Sequence, residues 1–239
     1  MKKHSAITVI LKRELYTWFN SFVAWLVTGL FLISTGLLFF STFFIRQVAT
    51  LRYFFSLLPI LFSFFIPAIT MRLFAEESRS GSLETLMTLP VSSAQAVVGK
   101  YLAAFISCAV MLLPTLSYAL TAGMFGSPDA GPIVGGYLGA LFLAAAYSAI
   151  GLFASASSKN QIVAFFIGFA ICIILSIIDS FLILLPAGIT NFLSFFSANT
   201  HFESISKGII DSRDLLYFIS ITIIFLGLTV KTEEGRRAA

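Results

Sequence analysis

Residues Met71 to Tyr101 read MRLFAEESRSGSLETLMTLPVSSAQAVVGKY, and the rest of the chain is organised around them. Charged residues gather here between two long apolar segments. Ser80 and Ser82 offer N-cap oxygens, and Gly81 lets the chain turn. Leu83, Leu86, Met87 and Leu89 then supply a short apolar face before Pro90 stops the helix. A short amphipathic helix in such a connection is a contact for another protein.

Outside this stretch the composition is that of a membrane protein. Of 239 residues 58% are hydrophobic, 15% aromatic and only 11% charged, with a mean hydropathy of +0.97. A water-soluble domain of this length needs far more polar surface, so the solvent of most of the chain is lipid. The net charge of +4 sits mostly at the ends of apolar runs. It therefore reports topology rather than a nucleic-acid partner. Cys108 and Cys172 lie inside apolar runs and act as small hydrophobes, not as a disulfide framework or a metal pair. The first apolar run is too long for a signal-peptide core and lacks a small-residue cleavage site, so it is expected to stay as an anchor.

Apolar runs of roughly 20 residues cross about 30 Å of hydrocarbon. Six are present: Phe22 to Ile45, Phe54 to Phe74, Tyr101 to Phe125, Ile133 to Ala154, Ile162 to Leu185, and Leu215 to Val230. Before them, over residues 1–20, Ile7, Ile10, Leu11, Leu15, Trp18 and Phe19 recur at helical spacing while Lys2, Lys3, Lys12 and Arg13 take other positions. That pattern predicts an amphipathic interfacial helix on an anionic leaflet. The expected architecture is an all-α integral membrane protein: the interfacial helix, then a single six-span domain over residues 21–239. Six spans place both termini on one side. That side then carries eleven of the 15 Lys and Arg residues, against Arg46, Arg52, Lys207 and Arg213 on the other, so the termini are expected in the cytoplasm. The segment 75–100 between spans two and three faces the cytoplasm with them.

The long external segment 186–214, PAGITNFLSFFSANTHFESISKGIIDSRD, is too short and polar to span and too apolar for a free loop. It reads as re-entrant or interfacial helices between spans five and six, with Phe192, Phe195, Phe196, His201 and Phe202 as a candidate gate over a pathway. Within the spans, Pro59, Pro67 and Pro114 predict kinks. Gly135 and Gly139, continued by Ala140, Ala144 and Ser148, predict close helix packing.

Reactive groups are scarce. Asp179 is the one acid well inside an apolar run; it is either a functional intramembrane acid or, two turns from the outer end, a capping or interfacial group. His4 and His201 fall on opposite sides of the membrane, which excludes a shared metal or catalytic site in one subunit. His201 beside Glu203 reads as a solvated pair. The region before Gly99-Lys100 fails as a phosphate-binding loop, because Ala94 replaces the first glycine and Tyr101 follows the lysine. The chain is therefore not expected to be an enzyme, and any ATP it depends on is bound by a partner.

The pair Glu76-Glu77, with Arg79, Gly81, Ser82, Glu84, Leu86, Leu89-Pro90-Val91 and Gly99-Lys100, resembles the cytoplasmic segment of ABC-2 type transporter permeases, whose usual form is E-E-x-x-x-G-T-x-E-x-L-x-x-x-P-V-S. Ser82 stands where threonine is commoner and keeps the capping hydroxyl. Gly151 to Ser155 with Asn160-Gln161 resembles that family's loop between spans four and five, here Ser155, Lys159, Asn160 and Gln161. Thr200-His201-Phe202 with Lys207 to Asp211 and Arg213-Asp214 resembles the gliding-motility-associated branch, which includes relatives of the nitrous-oxide-reductase maturation permease. The resemblance implies a bacterial cytoplasmic membrane location, two permease copies as a homodimer or related heterodimer, and two ABC ATPase subunits that hold ATP and Mg, with no cofactor in this chain. It also implies a coupling helix, carried here by Glu76, Glu77, Arg79, Gly81, Ser82, Leu83, Glu84, Leu86, Leu89 and Pro90. Two functions stay open at this point: export or envelope work driven by the ATPase, and a membrane scaffold without classical transport.

Overall fold

A backbone in lipid must satisfy its own hydrogen bonds, and apolar runs of span length do so as helices. The computed structural model describes residues 6–46, 48, 50–81, 91–182, 194–209 and 211–238, and these are all-α. Helix α1 (Ala6–Phe19) precedes α2 (Phe22–Arg46). Helix α3 (Arg52–Thr70) runs on through Met71 into α4 (Arg72–Ser80). Helix α5 (Ser93–Leu112) passes through a 3-10 turn, Leu113–Thr115, into α6 (Leu116–Phe125). Then come α7 (Ala130–Ser157), α8 (Gln161–Leu182), the short α9 (Ala198–Ser206) and α10 (Ser212–Ala238). Among the described residues six helical stretches are long and apolar enough to cross a membrane, in the places the sequence predicts.

The observed helices overrun the apolar runs. Span three starts at Ser93 rather than Tyr101, because Ser92 and Gln95 close a capping box: the Gln95 N–H donates to Ser92 Oγ at 3.2 Å, and the Ser92 N–H donates to Gln95 Oε1 at 3.1 Å. Hydropathy marks the lipid-covered part of a helix; capping marks its end. Pro59 and Pro67 lie inside α3, which stays helical through both. Pro114 breaks the α5–α6 span into the 3-10 turn, where the Tyr137 hydroxyl donates to the Thr115 carbonyl at 2.7 Å.

Helix α7 is the axis. It touches α3, α4, α5, α8, α9 and α10, and Leu143, Ala144, Tyr147, Ser148, Ile150 and Leu152 on it are fully buried. The small residues of the Gly135 stripe allow the approach: a Cβ on Gly135 would lie 2.4 Å from the Ile205 carbonyl oxygen of α9, and one on Gly139 3.2 Å from the Phe202 ring. Helix α9, nine residues and so about 14 Å long, is thereby seated in the bundle and not laid over it. A buried polar contact ties three spans: Ser176 Oγ of α8 lies 2.6 Å from Tyr147 Oη of α7 and donates to the Pro59 carbonyl of α3 at 3.0 Å. Helix α2 is peripheral and holds on through rings, Phe31 against Phe62 and Phe65, and Phe39 stacked on Tyr118 at 4.9 Å.

The closest approach is at Gly151, where a Cβ would stand 2.1 Å from Thr70 Oγ1. Gly151→Leu is expected to force α3 from α7 and to destabilise the protein by about 2–3 kcal/mol. Thermal unfolding in detergent should read this as a lower Tm, with Gly123→Leu, where a Cβ meets nothing within 4 Å, as the neutral comparison.

Candidate functional site

Helix α4 leaves α3 without a turn. Met71 keeps right-handed helical angles and its N–H donates to the Pro67 carbonyl at 2.8 Å. The ladder is then interrupted from outside. Ser155 of α7, one turn beyond Gly151 on the same face, pushes its hydroxyl into the helix: Oγ accepts from the N–H groups of Phe74 (3.0 Å) and Ala75 (3.1 Å) and donates to the Met71 carbonyl at 2.7 Å. A side chain inserted between an N–H and the carbonyl four residues earlier splits one helix into two. The sequence places Ser155 in the loop between spans four and five. The structure puts it in the helix instead: α7 continues to Ser157, and Ser155 is fully buried. The loop itself is 158–160, in which Lys159 and Asn160 are exposed and Asn160 Oδ1 accepts from the Ile162 N–H at 2.9 Å.

The inner face of α4 buries Phe74 and Ala75, while Glu76 and Arg79 are exposed. Glu77 turns inward, to Lys100. That lysine has no exposed side-chain surface; its Nζ lies 3.1 Å from Glu14 Oε1 and 2.9 Å from Glu77 Oε2, donates to the Leu73 carbonyl, and stands 4.9 Å from the centre of the Phe74 ring. Arg13 completes the group, pairing with Glu14 at 2.6 Å and with Glu77. Gly99 lets α1 reach this place: a Cβ there would meet Ile10 at 3.0 Å. Nearby, Arg72 donates to Ser21 Oγ at 2.8 Å and Arg237 to the Val91 carbonyl at 2.8 Å. So α1, α4, α5 and the end of α10 meet at the end of the bundle that carries both termini.

Two carboxylates and two cations make this cluster neutral, and each charge has a partner. Burial by itself would raise the Glu14 carboxyl; the Lys100 and Arg13 charges more than offset this and hold it below the usual glutamate range. Gly81 closes α4 in the left-handed region at φ 74°, where glycine is at ease. Ser82, Leu83, Glu84, Leu86, Leu89 and Pro90 lie outside the described residues.

At the opposite end, the structure keeps three of the sequence-predicted gate residues, Phe195, Phe196 and His201, in ring contact and turns Phe202 into the bundle. Phe195 and Phe196 are exposed and edge to face, at 5.9 Å. Phe202 is buried against Gly139, and Phe192 lies outside the described residues. The partner of His201 is not Glu203. Its Nδ1 is 2.7 Å from Asp214 Oδ1, its Nε2 3.2 Å from the Phe195 carbonyl, and its ring stacks on Tyr217 at 4.2 Å. Glu203 pairs instead with Lys207 at 2.8 Å, one helical turn on. Asp179 is half-buried and accepts from Asn199 Nδ2 at 2.7 Å, tying α8 to α9. Among the described residues no three His, Cys, Asp or Glu side chains come together as a metal site.

The sequence reading missed Glu14 and the burial of Lys100. Two signals were present, the Ser92-x-x-Gln95 capping box and a lysine bracketed by Val97-Val98-Gly99 and Tyr101-Leu102, both of which place Lys100 within the helix and among apolar neighbours.

A six-span helical membrane protein with a charged junction joining its second and third spans is the class these observations define. The family model for ABC-2 family transporter proteins matches residues 42–231, and the chain belongs to that family. It is accordingly a multi-pass membrane protein and a permease subunit of an ABC transporter. Such subunits associate with an ABC ATPase and generally carry no nucleotide site of their own. No curated protein matched the chain. Helix α1 and most of α2 precede the matched region, so the Glu14–Lys100 pair joins a residue outside it to one inside.

Lys100→Met leaves Glu14 and Glu77 with Arg13, half exposed, as their one remaining cation and is expected to cost roughly 3 kcal/mol; the triple change Glu14→Gln, Glu77→Gln, Lys100→Met should recover much of the lost Tm. The sign of the pH dependence follows from Glu14. Its folded-state pKa is lowered, so its contribution is present at neutral pH and disappears as pH falls through that value. Wild type and Glu14→Gln should differ most in Tm near pH 7 and draw together as pH falls below the ordinary glutamate value of about 4.3.

Proposed function

We propose that this permease couples ATP hydrolysis by a separate ABC ATPase to export, or to mechanical work on the cell envelope, from the bacterial cytoplasmic membrane with both termini in the cytoplasm. One observation carries the reading: α4 is bonded to α7 through Ser155 and to α1 and α5 through Lys100, and the chain leaves it directly into segment 82–90. A partner that moved this segment would move α4, and through it spans two, three and four. A loosely held connection would absorb the motion instead.

In this reading Leu83, Leu86 and Leu89 dock on the ATPase, while Glu76, Arg79 and Glu84 give polar contacts at the rim and set register. Lys159 and Asn160, exposed at the same end, supply a second contact. Two permease copies and two ATPases form the proposed assembly, and the resemblance of segment 200–214 to the gliding-motility-associated branch supports reading the chain as one of that branch.

Replacing Leu83, Leu86 and Leu89 together by glutamate should abolish co-purification of the ATPase and the stimulation of its activity, with membrane insertion unchanged. Undiminished co-purification would remove these residues from the interface.

A further inference from the structure

The end of the bundle opposite the termini holds an open cavity of about 680 Å³, within the size range of small-ligand sites. Arg46 and Arg52 line it and have no carboxylate partner among the described residues. Arg46 is held in place, since its guanidinium lies 4.1 Å above the Tyr53 ring and donates to the Tyr53 hydroxyl. Of the two acids in the wall, Glu203 is paired with Lys207, while Asp129 makes no side-chain cap bond and stands at the N-terminus of α7, where its charge offsets part of the helix dipole; Arg46 and Arg52 leave the wall net positive.

Two helix N-termini open into the same space. Helix α3 begins there with Leu51 at its N-cap and no side-chain cap bond, and α7 begins there with Asp129 at its N-cap and again no side-chain cap bond. The Arg52 N–H at the start of α3 donates to Thr50 Oγ1 at 3.3 Å; beyond it each terminus presents first-turn N–H groups without an intrahelical partner and the positive end of a dipole. Arg52, the first residue of α3, adds a full positive charge at a positive helix end. That arrangement is unfavourable until an anion enters. Two planar guanidinium forks approaching from different directions match the tetrahedral oxygens of a phosphate better than a planar carboxylate. Hydroxyls of Thr50, Ser56 and Ser127 share the wall, and Leu51 and Ile133 give it an apolar side. Beyond the mouth, Phe44 and Ile45 at the end of α2 are exposed.

We propose that this cavity binds a phosphate group, carried by the headgroup of a membrane lipid or by a soluble phosphate ester. A lipid source is favoured by the apolar wall and by Phe44 and Ile45, on which an acyl chain can lie. The site is independent of the coupling reading, because it lies at the other end of the spans and needs no ATPase to fill it.

The test uses the full-length permease in mild detergent. Native mass spectrometry compares retention of phosphatidylglycerol, whose phosphate is the only charge, with phosphatidylcholine, whose phosphate carries a choline cation that the two arginines repel; thermal unfolding compares inorganic phosphate with chloride at equal ionic strength. The variants are Arg46→Gln/Arg52→Gln, and Ser56→Trp, which fills the cavity without changing charge. Arg213→Gln, an exposed cation that does not line the cavity, is the control. Wild type and Arg213→Gln should hold phosphatidylglycerol about tenfold more tightly than phosphatidylcholine, and both cavity variants should lose that preference. Stabilisation by inorganic phosphate that the cavity variants lose, without lipid preference, supports the site and assigns it to a soluble ester. Equal lipid retention by wild type and both cavity variants, with no phosphate effect that depends on the arginines, overturns the proposal.

Discussion

A lysine ammonium with no exposure to water must be met by anions, and the terminal end of this protein is built around that requirement. Lys100 takes one oxygen from Glu14, one from Glu77 and the carbonyl of Leu73, so helices α1, α4 and α5 share a single cation. Removing a charge of this kind from water costs several kcal/mol even after relaxation. The three helices therefore cannot separate without exposing or stranding it. The same charge that makes the junction expensive to form makes it stiff once formed.

Stiffness there would mean little if α4 were free at its root, and α7 provides the second attachment. Gly151 brings the α7 backbone against Thr70, and four residues later Ser155 reaches into the helix between Met71 and Ala75. The two positions lie one above the other on one helix face. Close approach and hydroxyl insertion are thus one device: the glycine sets the distance, and the serine uses it. The break between α3 and α4 is imposed by a neighbouring helix, with no proline or loop at the point where it falls.

The two ends of the bundle handle charge differently. At the terminal end, cations and carboxylates are brought into contact and compensate one another. At the opposite end, Lys207 and Glu203 pair on the surface and His201 and Asp214 pair beneath Tyr217, tying α9 to α10, while Arg46 and Arg52 remain open to the cavity. The first arrangement suits transmission of movement; the second suits a ligand.

Six spans and their order were legible in the sequence because lipid imposes one pattern on every span: about 20 apolar residues whose backbone bonds are satisfied locally. The Gly135–Gly139 stripe was legible for a similar reason, since small residues four apart share a face whatever packs on it. The sequence could not show what that face would meet, nor that Ser155 lies inside a helix and bonds to residues some 80 positions earlier. Lys100 counted in the sequence only as one more positive charge at a membrane edge. Its partner Glu14 is 86 positions away, and His201 lies two residues from Glu203 yet pairs with Asp214. Hydropathy and periodicity describe how a residue relates to its solvent and its own helix. Which charge meets which is settled only when helices pack, because a buried ion selects partners by distance in space, and that distance is a property of the tertiary structure alone.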